Sequence, residues 1–160
     1  MQEALIIYAF PLYVESVPAK LKAFLDRQFV TIMPSFESFH NITRHPLWHP
    51  KEQYMSIFSI CGFPEIGQFE PLNDTFKAIA RNSHKPLIAS IFRPGAESFT
   101  APPYRLYLEK ILTSLEQAGR NLVELGEVPK MTLKCISSDY GVSKEKWLTY
   151  SNLHWGLKRN

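Results

Sequence analysis

The stretch ALIIYAFPLYVESVPAKLKAFLDR, residues 4–27, changes its period halfway, and that change decides the fold class. Ala4 to Phe10 is a continuous apolar run of the length of a strand covered on both faces, and it stops at Pro11. From Val17 the apolar residues Leu21, Phe24 and Leu25 follow helical spacing, with Ser16 placed as an N-cap and Pro18 in the first turn. The unit reads strand, short loop, helix.

Working outward, the same unit recurs. Tyr54 to Ile60 predicts a second strand, Cys61-Gly62-Phe63-Pro64-Glu65 a loop, and a helix starts near Glu70 or Pro71. Leu87 to Phe92 predicts a third strand ending at Arg93-Pro94-Gly95. Leu108, Ile111, Leu112, Leu115, Leu122 and Val123 then put a long helix over Tyr104 to Leu125. Strands alternating with helices argue for an α/β chain with a parallel sheet and helices on both faces. In such sheets ligands bind outside the carboxyl ends of the strands.

Three segments fall outside this rhythm. Met33 to Lys51 holds three prolines and three histidines without a sustained period, and reads as a long functional or interface loop. Met131 to Ile136 reads as extended. Ser143 to Trp155 reads as a final short helix capped by Ser143. With 160 residues, 45% of them hydrophobic, length predicts one domain, 1–160, with a sizeable core.

Charge excludes more than it suggests. A net charge of +3 with scattered Lys and Arg gives no stripe for nucleic acid. No apolar run reaches the ~18 residues of a membrane span, and no leader pattern follows Met1. The two cysteines, Cys61 and Cys135, lie far apart, which fits a reducing cytoplasm better than a disulfide framework.

The loops at the strand ends are where chemistry belongs. Pro11-Leu12-Tyr13-Val14-Glu15-Ser16 precedes a helix N-terminus, so backbone N–H groups and the Tyr13 ring can meet a planar ligand there; alternatively Leu12 and Tyr13 cap the sheet's end. Residues 6–27 resemble the third strand and helix of flavodoxin-like NAD(P)H-dependent FMN reductases, whose Pro-x-Tyr loop borders the isoalloxazine ring. Cys61 to Glu65 is similar to that family's next ligand-side loop, and the likeness extends loosely to the final helix.

The resemblance implies a cofactor-binding set of Pro11, Leu12, Tyr13 and Val14 on one side of the flavin and Cys61, Gly62 and Phe63 on the other. Gly62 lets the chain approach the ring closely. It implies FMN, NADH or NADPH as donor, and a quinone, flavin or other small acceptor. Hydride transfer to flavin N5 depends on stacking and hydrogen bonds, so the resemblance assigns no catalytic residue. It also implies an N-terminally truncated fold retaining strands 3-4-5, because the Ser/Thr-rich phosphate loop of a complete member has no counterpart. The only adjacent serines, Ser137-Ser138, precede no clear helix N-terminus.

In the strand order 2-1-3-4-5, loss of the first two strands bares the edge Ala4 to Phe10, an aggregation hazard that predicts a cover. A homodimer or a separate N-terminal fragment is expected across it. The alternative function is a flavodoxin-like interaction subunit with little FMN affinity.

Other features have plainer readings. His40, His45 and His49 with Glu37 and Glu52 match no ligand spacing, so no metal site is assigned. Cys61 reads as a small buried hydrophobe, or as a redox thiol. Arg93 is a surface charge at a turn, or meets a cofactor phosphate. Tyr140, Trp147, Tyr150 and Trp155 are expected to seal the tail helix onto the body or a subunit interface.

Overall fold

The apolar segments form three parallel strands, β1 (Ala4–Pro11), β4 (Gln53–Ile60) and β5 (Leu87–Arg93), in the order β1-β4-β5 and flanked by helices. The computed structural model describes residues 4–97 and 104–157. Between the strands come α1 (Ala19–Arg27), a short antiparallel pair β2 (Glu37–Phe39) and β3 (Ile42–Arg44), and α2 (Glu70–Asn82). After β5 follow α3 (Arg105–Glu124), α4 (Lys130–Ser137) and α5 (Lys144–His154).

The chain divides into two compact units, one of Met1–Ser59 with Phe69–Ile91, the other of Ile60–Gln68 with Phe92–Asn160. In the first, α2 lays its apolar face on the sheet. Leu72, Phe76 and Ala80 are buried, and the Phe76 ring sits 5.6 Å from Tyr8 and 5.7 Å from Phe10. Pro71 in the first turn fits the start of this helix, where the missing N–H costs nothing. Met55, Ile57 and Ile91 complete that core.

In the second unit, α3 buries Ile111, Ala118 and Leu122, and α4 packs against α3 and contributes Ile136. Tyr107 of α3 stacks on Tyr140 at 5.1 Å, and the Tyr140 hydroxyl donates to the Cys135 carbonyl at 3.0 Å. Ser143 caps α5, accepting from the Lys146 N–H. Of the tail aromatics, Tyr140, Trp147 and Tyr150 have ring partners in this unit, whereas Trp155 is exposed and its ring partner among the described residues is the adjacent His154.

Four expectations are corrected. β1 is not covered on both faces: Tyr8 and Phe10 are buried while Ile7 is 53% exposed and Ala9 exposed, the alternation of a strand packed on one side. α1 starts at Ala19 rather than Val17, because Pro18 is extended (ψ 149°) and Ser16 is paired with Tyr13 instead of capping. Met33 to Lys51 is not structureless. It folds as the β2–β3 hairpin about His40 and Asn41, both left-handed, as a tight two-residue turn requires.

That hairpin is tied down by its own side chains. Arg44 Nε donates to Glu37 at 2.7 Å, its guanidinium lies 3.8 Å over the Phe39 ring, and its Nη1 donates to the Arg81 carbonyl. The fourth correction is Met131 to Ile136, which is helical within α4. Pro129 opens the helix, and Arg93 holds the carbonyls at its end.

Candidate functional site

The strand-end loops divide between the two units. Pro11, Leu12, Tyr13 and Val14 belong to the first, and Cys61, Gly62 and Phe63 to the second.

The first loop is open and strained. Tyr13 and Ser16 exchange backbone hydrogen bonds at 3.1 and 3.0 Å, so Val14 and Glu15 form a two-residue turn with φ of 49° and 54°. Left-handed backbone suits glycine or asparagine and is a marked outlier for β-branched valine. Each such residue costs about 1–3 kcal/mol, a strain that clusters at ligand sites. Tyr13 is 60% exposed and Val14 91% exposed, while Pro11 and Leu12 are half-buried. The Tyr13 ring is thus presented rather than packed as a cap.

The second loop is latched. The Cys61 N–H donates to the Arg93 carbonyl, Ala96 donates to Cys61, and Gly95 donates to Phe63 at 2.7 Å. The Cys61 thiol also donates to the Phe63 carbonyl at 3.3 Å. Burial pushes this thiol upward, outweighing the backbone bonds that pull it down, so it is a protonated packing group at neutral pH. The main-chain groups of Cys61 expected to meet a ligand are therefore already engaged. What the loop leaves outward is the Phe63 ring, 51% exposed, with Trp147 at 6.2 Å.

Gly62 is not in the left-handed region, and a Cβ there would stand 3.6 Å from the Glu97 carboxyl group, an ordinary contact. Sterics within the fold do not demand glycine at this position.

Arg93 is not a surface charge at a turn. It is 5% exposed, and its Nη1 donates to the carbonyls of Ile136 at 2.6 Å and Ser138 at 2.7 Å. Burial lowers the guanidinium to about 10, and it still stays charged at neutral pH. A cation on the last carbonyls of α4 complements that end of the helix. Ser137-Ser138 accordingly sits at a helix carboxyl end.

The histidines are dispersed by the hairpin. His45 Nδ1 meets the Ser35 carbonyl at 2.9 Å, the His40 ring packs on Phe39, and His84, not singled out by its spacing, meets the His45 carbonyl at 2.8 Å. Among the described residues no three His, Cys, Asp or Glu side chains converge as metal ligands, and no helix is long and apolar enough to cross a membrane.

Sequence reasoning missed Lys85, which is buried beside a groove in the first unit. A lysine just before a strand carries no pattern that marks it as buried.

The class defined here is an α/β chain built on a three-stranded parallel sheet, with a strained open loop after its first strand. No protein-family model, no curated protein and no solved structure matches the chain significantly.

Proposed function

We propose that this chain is a flavodoxin-like FMN-dependent NAD(P)H oxidoreductase, passing hydride through the flavin to a quinone, free flavin or other small acceptor. The observation that supports this most is the Tyr13 ring, held outward on the strained Val14–Glu15 turn between β1 and α1. Carboxyl ends of parallel strands are where open α/β sheets take ligands, and an exposed tyrosine there offers a stacking face. The strand order β1-β4-β5 is also the one that strands 3-4-5 of a flavodoxin-like sheet have. Tyr13 and Val14 would line one face of the ring, with Pro11 and Leu12 behind them.

The test is titration with FMN, read by quenching of flavin fluorescence. Binding that weakens about tenfold in Tyr13→Ala is expected, the loss of one good aromatic stack. No quenching at millimolar FMN overturns the reading.

A second reading is a flavodoxin-like interaction subunit with little FMN affinity, favoured by the open face of β1. That strand ends the sheet, Ile7 and Ala9 are exposed on it, and α1 has no buried residue. Such an edge invites a second copy or a separate chain. Sedimentation should then show an assembly, and a stable monomer at micromolar concentration excludes self-association.

A further inference from the structure

A groove of about 620 Å³ opens in the first unit, and it lies at the amino ends of the strands. Gln53 begins β4 and Lys85 stands two residues before β5, whereas the Pro11–Ser16 loop follows the carboxyl end of β1. The size falls within the range of small-ligand pockets. Its walls are held by backbone: the Trp48 N–H donates to the Thr31 carbonyl at 3.1 Å, and Met33 donates to Pro46 at 2.8 Å.

The unusual member is Lys85. It is only 9% exposed, and its ammonium has one hydrogen-bond partner among the described residues, the Ser83 carbonyl at 3.5 Å, the outer limit of such a bond. No carboxylate pairs with it among those residues, and burial alone pulls its pKa below the ordinary lysine value. A lysine drawn this far from water onto a groove, with one long hydrogen bond and no carboxylate partner, gains from an anion that completes it.

The same groove holds a second cation, Lys51, and the imidazole of His49. Trp48, 53% exposed, supplies a broad aromatic wall beside them. Two lysines and an indole lining one groove match an anionic group on a planar body.

We propose that this groove binds a small planar anion, an aromatic carboxylate or aryl phosphate, with its charged group on Lys85 and Lys51 and its ring against Trp48. The site stands apart from the flavin reading, because none of its residues lies in the strand-end loops.

The experiment is calorimetric titration of the full chain with phenyl phosphate and, separately, benzoate. Phenol, inorganic phosphate and acetate serve as controls. Millimolar or tighter binding of one aryl anion is expected, with each control at least tenfold weaker. The better of the two identifies the charged group. Lys85→Met should weaken that probe about tenfold or more and Lys85→Arg much less, while Lys51→Met and Trp48→Leu each weaken it severalfold. Tyr13→Ala should leave it unchanged, which separates this site from any flavin cleft.

No binding of either aryl anion at millimolar concentration overturns the proposal. So does equal binding to wild type and Lys85→Met. Should Lys85→Met fail to fold, the exposed positions Lys51 and Trp48 decide: unchanged affinity in both variants equally overturns it.

Discussion

The two strand-end loops have opposite construction. The loop after β1 presents its side chains and strains its backbone, with Tyr13 and Val14 exposed and two non-glycine residues left-handed. The loop after β4 turns its polar groups inward, giving the Cys61 N–H, carbonyl and thiol and the Phe63 carbonyl to partners within its own unit. Equal ligand-binding roles were expected of both from the family resemblance. The difference teaches that a loop motif fixes where a chain turns, but its unsatisfied hydrogen-bonding groups fix what it can bind.

The latched region should break most severely when its clamp is removed. Arg93 donates to two carbonyls at the end of α4, and charge-assisted bonds contribute about 1.5–3 kcal/mol each. Arg93→Met is expected to lower unfolding free energy by about 3 kcal/mol or more in urea titration. A loss under about 1 kcal/mol would show that the clamp is incidental.

The open loop should respond in the other direction. Replacing Val14-Glu15 by Asn-Gly places residues that accept left-handed backbone at φ 49° and 54°. Stability should rise by about 1–2 kcal/mol. FMN affinity should fall at the same time if Val14 touches the ring, so strain relieved and ligand lost would appear in one variant. A destabilised variant would mean that the turn is held for packing.

The pH dependence of the latched loop follows from Cys61. Burial raises its thiol above the ordinary 9.0, so the unfolded chain ionises first as pH climbs. The folded state holds more protons in that window. Its stability is therefore fully present below pH 9.0 and falls as pH rises toward the folded-state value. Comparison of urea midpoints at neutral and alkaline pH should show this slope in wild type and a smaller one in Cys61→Ala. Identical slopes would remove Cys61 as the cause.

Legibility in the sequence tracked how local the determining forces are. β4, β5, α3 and the start of α2 are readable within a residue or two, because a continuous apolar run or a 3.6-residue period reports burial directly. β2 and β3 are three residues each, too short to show alternation. Their hairpin depends on the Arg44–Glu37 pair and a carbonyl of Arg81, far away in the chain. Met131 to Ile136 alternates polar and apolar like a strand. Yet α3 packs on it and Arg93 ends it, so tertiary partners override the local pattern. At the site, the position of Tyr13 follows from the strand-to-helix change, whereas its exposure does not, since the same position suits a ring that caps the sheet's end. The latching of Cys61 could not, since its partners Arg93 and Ala96 lie more than thirty residues on.

Gly62 carries the smallest expected effect and the sharpest contrast. A methyl group there meets the Glu97 carboxyl at 3.6 Å and no forbidden backbone angle, so Gly62→Ala should change stability by less than about 0.5 kcal/mol. Glycine at this position then has no reason inside the fold itself. Close approach of a ligand is a reason from outside it. If the latched loop itself meets a ligand despite its engaged backbone, FMN titration of Gly62→Ala should show weakened binding at unchanged thermal stability. Unchanged binding in Gly62→Ala, beside a clear loss in Tyr13→Ala, would assign recognition to the open loop alone and leave the Cys61–Glu65 loop a structural role.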